Sequence, residues 1–156
     1  TIVGAEPIPD YIEPPEAMAD SWPELARARE EGRHVLIYPE GHLAPVGYHF
    51  RYKPGVWHMQ KAMNVPIVPV ATNLNCFWQQ EEILKKPGTA VIEFLEPIPA
   101  GLPKEETMAR LTEAIESRSA ELIAEATGNP VEPTKLLPDP DKGAIGRPDS
   151  ELAKPV

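Results

Sequence analysis

Two short apolar runs, set one helix length apart, constrain this chain more than any other feature. The first, His34-Val35-Leu36-Ile37-Tyr38, is closed by Pro39-Glu40-Gly41; the second, Val65-Pro66-Ile67-Val68-Pro69-Val70, follows a segment that opens at Pro54. A continuous apolar run of this length reads as a strand covered on both faces, since alternation is needed only where one face meets water. In the turn, proline holds one dihedral and glycine releases the next, so the chain changes direction sharply. Pro54 suits the first position of a helix, where a missing N–H costs nothing, and Val56, Met59 and Met63 then share one side as far as about Asn64. Two strands, the second spanning Pro66 to Thr72, joined through a helix predict a parallel, right-handed βαβ crossover.

Around that unit the pattern adds three elements. Ser21 and Glu24 have capping-box spacing with Pro23 in the first turn and Gly32 as a stop, which predicts a helix between them. Thr89 to Leu95 reads as a third strand, closed by Pro97-Ile98-Pro99. Lys104 to about Ala126 is the clearest helix, with Met108, Leu111, Ile115 and Leu122 on one stripe and mostly charges elsewhere. The expected fold class is therefore α/β: a partial, mixed or mostly parallel sheet flanked by helices.

Proline separates the body of the chain from its ends. Ten of the twenty prolines lie in the terminal stretches, at 7, 9, 14 and 15 and again at 130, 133, 138, 140, 148 and 155. Residues 1–19 are expected as an extended acidic lead, 20–127 as the folded part and 128–156 as a disordered tail with too little apolar surface to offset ordering entropy.

Charge is unevenly distributed. The net charge of −9 argues against nonspecific binding to nucleic acid or to an anionic surface. Residues 33 to 80 nevertheless hold Arg33, Arg51, Lys53 and Lys61 against Glu40 alone. The one basic stretch thus coincides with the turn and helix described above. Cys76 is the only cysteine, so an internal disulfide and a thiolate metal site are excluded and a reducing compartment is the default expectation. No 18-residue apolar run and no secretory leader are visible in the sequence.

If the first strand has parallel neighbours, Glu40 and Gly41 sit at its carboxyl end, where open α/β sheets form ligand crevices. Gly41 permits close backbone approach, and the following loop offers His42, His49, Arg51 and Lys53 as donors. Beyond it, the helix opening at Pro54 presents free N–H groups and a positive dipole end, a combination suited to an anion such as phosphate. The plainer alternative is a Pro-Glu-Gly turn whose carboxylate is merely solvated. His42 beside Glu40 and His58 are expected to serve ordinary hydrogen-bonding and surface roles; Trp22, Trp57 and Trp78 are expected to pack. The four histidines lack a paired spacing for a metal site, and none is expected.

From about Trp22 to Ala126 the chain resembles the glycerolipid acyltransferases, in particular bacterial 1-acyl-glycerol-3-phosphate acyltransferases. The resemblance rests on Pro39-Glu40-Gly41, on Tyr52-Lys53-Pro54-Gly55-Val56, on the Val-Pro-x-x-Pro strand, on Asn73 to Trp78 ending in Phe-Trp, and on Pro87-Gly88-Thr89 leading through Val91 to Leu102. It implies that Glu40 and Gly41 help bind the glycerol phosphate of an acceptor, and Lys53 matches a family position. Where the family carries threonine and arginine after the glycine, this chain has His42 and Leu43. Leucine cannot replace a bidentate guanidinium, so Arg51 or Lys53 is left to supply the charge.

The family's catalytic His-x-x-x-x-Asp motif is absent. The fifth residues after His34, His42, His49 and His58 are Pro39, Gly47, Pro54 and Met63. The glycine-aromatic-arginine element that the family places between this motif and the turn has no match either. The resemblance therefore implies a C-terminal part, without catalytic residues of its own, of a protein that transfers a fatty acyl group from acyl carrier protein or coenzyme A to the free hydroxyl of a lysophospholipid. No cofactor beyond the acyl donor, a membrane surface as partner of the complete protein, a cytoplasmic location at the inner face of the membrane, and no nucleic-acid partner are the accompanying expectations. A noncatalytic α/β binding module, or a degenerate acyltransferase relative, is the alternative.

Overall fold

A computed structural model describes residues 22–78 and 83–140. The acidic lead at 1–19, the capping Ser21 and residues 141–156 lie outside the described residues. Helix α1 covers Trp22–Glu30, helix α2 Gly55–Met63 and helix α3 Lys104–Thr127. Four short strands, β1 (Tyr48–His49), β2 (Val70–Thr72), β3 (Ile92–Phe94) and β4 (Lys135–Leu136), and a 3-10 turn at Leu74–Cys76 complete the described elements.

The helix boundaries follow from local chemistry. Pro54 precedes α2, and Asn64 ends it in the left-handed conformation with φ 51°, its N–H donating to Gln60 O at 2.8 Å. Gly128 closes α3 in the same way at φ 73°, with its N–H donating to Ala124 O. Glu105 and Glu106 stand in the first turn of α3, where the helix dipole favours negative charge.

Two apolar clusters form the core. Leu25, Met59 and Met63 join α1 to α2 with Val35, Ile37 and Val65 around them. Tyr52, Val56, Ile98 and Leu111 join α2 to α3, with Ile67, Met108 and Ile115 packed against them. Ile37 touches both clusters, so the segment after α1 links the two halves of the core. The stripe read along α3 is the one that packs: Leu111 is 2 % exposed and Leu122 fully buried.

The α/β class is as expected, but among the described residues the strands form two separate two-stranded sheets, one antiparallel and one parallel. β2 pairs antiparallel with β3 in the register Val70 to Phe94, Ala71 to Glu93 and Thr72 to Ile92, extended by a bridge between Ile67 and Ile98. β1 pairs parallel with β4. Among the described residues the parallel crossover predicted between 34–38 and 66–72 is not formed. Residues 33–38 run extended without a ladder, and only one side of the run is covered. Val35 and Ile37 turn inward, whereas Leu36 and Tyr38 are 46 % and 77 % exposed. A strand needs a neighbour to satisfy its N–H and C=O groups, and here the apolar side chains hold the segment instead.

The second departure lies beyond Gly128, where a disordered tail is expected. Residues 133–137 instead return to the body of the molecule. Lys135 N–H donates to Gly47 O at 2.9 Å and Leu137 N–H to His49 O at 2.8 Å. Backbone pairing needs no long apolar run, so a short stretch with only Leu136 and Leu137 between prolines can dock as a strand.

Candidate functional site

The Pro39-Glu40-Gly41 turn is closed by its own backbone. Gly41 has φ 70°, a region open to glycine at little cost, and its N–H donates to Tyr38 O at 3.1 Å. Lys53 N–H donates to Pro39 O at 2.7 Å, so the turn and the residue leading into α2 are fastened side by side. The Lys53 side chain crosses directly above Gly41: a Cβ added there would stand 3.2 Å from Nζ. An ammonium group, a glycine turn and the start of α2 therefore share one place.

Glu40 is partly buried rather than merely solvated. Its Oε2 accepts the Phe50 N–H at 2.7 Å. Burial raises the carboxyl above its usual range, the Phe50 hydrogen bond opposes this, Glu116 raises it further and His42 lowers it. His42 is exposed and stands edge-on to Phe50, with ring centres 5.5 Å apart. Arg51 is exposed, between the two residues that carry the loop's tethers.

One of those tethers runs to α3. Tyr52, 6 % exposed, donates its hydroxyl hydrogen to Glu116 Oε1 at 2.5 Å. Thr134, in the segment entering β4, donates to Glu116 Oε2 at 2.7 Å. His49 Nδ1 stands 3.5 Å from Glu116 Oε2 and is buried, with no hydrogen-bond partner among the described residues. Burial, followed by the charge and hydrogen bond of Glu116, pushes the Tyr52 hydroxyl far above the normal tyrosine range, so it remains a neutral donor.

The structure thus sets Lys53 against the turn that carries Glu40, Gly41 and His42, with Arg51 exposed on the flanking loop. Sequence reasoning missed Tyr52, Glu116 and Thr134. Glu116 follows Ile115 of the apolar stripe, and in a helix rich in charges nothing in its spacing marks a partner 64 residues away. His58 is half-buried: its ring meets Trp57 edge-on at 4.9 Å, and burial, then Lys104 and Lys61, lower its pKa. Trp57 packs as expected, with Nε1 donating to Leu102 O, whereas Trp78 is 60 % exposed beneath the Lys85 ammonium. An open pocket lined by Asn73, Phe77, Gly88 and Glu125, among others, shares no residue with the turn.

Comparison with known proteins agrees with the turn and strand series. The family model described as Acyltransferase matches residues 12–73. The chain is 27 % identical over 111 residues to a 1-acyl-sn-glycerol-3-phosphate acyltransferase of Pseudomonas aeruginosa, covering 71 % of this chain and 42 % of that protein. It is 26 % identical over 114 residues to a protein of the same name from Cocos nucifera, covering 72 % of this chain and 37 % of that protein. The chain thus spans about two-fifths of the length of these curated relatives. No solved structure matches. The matched region contains the Glu40 turn, Lys53 and β2, and with the two relatives it shows a likeness to the glycerolipid acyltransferases.

Proposed function

We propose that this chain is the acceptor-binding part of a glycerolipid acyltransferase, whose complete form transfers a fatty acyl group to the free hydroxyl of a lysophospholipid such as lysophosphatidic acid. Both relatives carry an acceptor of that kind in their names. The observation that carries the reading is the Lys53 side chain lying over Gly41 at the start of α2. A glycerol phosphate there would meet an ammonium group, and a helix N-terminus whose first N–H groups have no intrahelical acceptors. Lys53 acts as a point charge rather than as a fork, which suits phosphate without fixing its orientation.

In the complete protein, a histidine of the His-x-x-x-x-Asp motif would take the acceptor's hydroxyl proton. The hydroxyl oxygen would then attack the thioester carbonyl of an acyl carrier protein or coenzyme A donor, and the thiol would leave. General-base assistance of this kind is worth about 10²- to 10⁴-fold. The complete protein would work at the inner face of the cytoplasmic membrane, where such acceptors reside. The isolated chain is expected to bind acceptor without transferring acyl groups.

Calorimetric titration with 1-acyl-glycerol-3-phosphate and with the matching monoacylglycerol tests this directly. The phosphate-bearing lipid should bind more tightly, and Lys53→Ala should remove most of the difference; equal affinity for both would overturn the reading. A noncatalytic module with another acceptor is the second reading, favoured by Leu43, which is 71 % exposed where the family has arginine. Tighter binding of the phosphate-free lipid would support it.

A further inference from the structure

We propose that Glu116 is a positioning residue of the acceptor-binding turn, tying the 48–52 loop and the returning 133–137 segment into one polar node behind Glu40. This inference rests on the acceptor-binding reading above. It concerns residues that lie outside the turn and up to 94 positions from it along the chain.

The Glu116 side chain is 14 % exposed, and among the described residues the one basic group within ion-pair distance is His49. A carboxylate withdrawn from water without a guanidinium or ammonium partner is costly unless other donors hold it. Here two hydroxyls do so, one at each carboxylate oxygen. Tyr52 reaches Oε1 from the loop, and Thr134 reaches Oε2 from the returning segment.

The node has a direct mechanical link to the turn. Glu40 accepts the Phe50 N–H, two residues before Tyr52, and Lys53 N–H is bonded to Pro39 O one residue after it. The chain from 50 to 53 is therefore held at three successive points: Phe50 by Glu40, Tyr52 by Glu116 and Lys53 by Pro39. Without the middle tether, Lys53 and the backbone bearing it gain freedom over Gly41. Thr134 fixes the far side of the carboxylate, and the Gly47 and His49 carbonyls hold the returning segment at the correct depth.

Hydrogen exchange and lipid titration on the full 156-residue chain test this, using Glu116→Ala, Glu116→Gln and Thr134→Val. Glutamine can still accept from Tyr52 through its oxygen and donate to Thr134 through its amide. Expected for Glu116→Ala is about tenfold faster exchange at 48–52, with α3 protection unchanged from 111 to 122, and about tenfold weaker binding of 1-acyl-glycerol-3-phosphate. Glu116→Gln should restore both, and Thr134→Val should show a smaller form of the same effect. Unchanged exchange at 48–52, or equal loss of protection along α3, would overturn the proposal by leaving Glu116 irrelevant or merely structural. If the unmodified chain binds neither lipid, the acceptor reading fails and the role in binding with it, whereas the exchange result alone decides whether Glu116 holds the loop.

Discussion

The layer between α3 and the β2–β3 pair and the loop around Glu40 are built on opposite principles. In the layer, Leu122 and Ala71 are both 0 % exposed, and the polar Asn73 is buried at 2 %. Its Nδ2 donates to Leu122 O at 3.3 Å and its Oδ1 accepts the Val91 N–H at 2.8 Å, so the amide bolts β2, β3 and α3 together. Around Glu40 the anchors are polar and distributed: one carboxylate holds a backbone N–H, another holds two hydroxyls, and a lysine lies over a glycine. Apolar burial is nondirectional and survives small shifts, whereas a site that must present charge in one direction needs directional contacts.

The strongest challenge to this contrast is to remove the apolar part. Leu122→Ala should cost about 2–5 kcal/mol, because a fully buried side chain is lost and the layer cannot fully close the cavity; the loss is measured by urea unfolding. Asn73→Ala should follow at about 2–4 kcal/mol, since it leaves the Leu122 carbonyl and the Val91 N–H without their partner. If Asn73→Ala proved neutral, the layer would be held by apolar contact alone.

On the polar side, Tyr52→Phe keeps the ring in the core and removes only the hydrogen bond to Glu116, with an expected cost of about 1–3 kcal/mol. Its effect on lipid binding should exceed that of Asn73→Ala, despite the smaller effect on unfolding. The Glu40 carboxyl gives a pH test of the same region. Its folded pKa is raised by burial, so the folded chain holds this proton more tightly than the unfolded chain. The corresponding stability is fully present below the unfolded value and is lost as pH rises through the raised folded value. Glu40→Gln should therefore flatten the decline of unfolding free energy above about pH 4.5, the ordinary value for this carboxyl. A steeper decline in the variant would contradict the assigned direction.

The smallest effect should come from the uncovered face of the β2–β3 pair. Ile92 and Phe94 are 63 % and 69 % exposed, on the side opposite Ala71. Phe94→Ser should change unfolding free energy by no more than about 0.5 kcal/mol. A loss comparable to that of Leu122→Ala would mean that this face is covered in solution.

The helices were legible because each carries its own signal. Val56, Met59 and Met63 repeat at helical spacing after Pro54, and Met108 to Leu122 repeat along a longer helix that ends at Gly128. The pairing of strands was not. His34 to Tyr38 has the composition of a buried strand yet runs without a ladder, while Lys135–Leu136, with no such composition, pairs with Tyr48–His49. Strand composition describes what a residue can cover, not which backbone lies beside it.

The amino-acid order by itself determined the three helices, the sharp turn at Gly41 and the concentration of positive charge around Lys53. These depend on neighbours a few residues apart, where spacing and dihedral preference act directly. Only the tertiary structure decided that Lys53 lies over Gly41, that Glu116 receives Tyr52 and Thr134, and that the segment beyond Gly128 returns to β1. Such contacts join residues tens of positions apart, and their energies depend on distance and burial that exist only once the apolar core has brought the segments together.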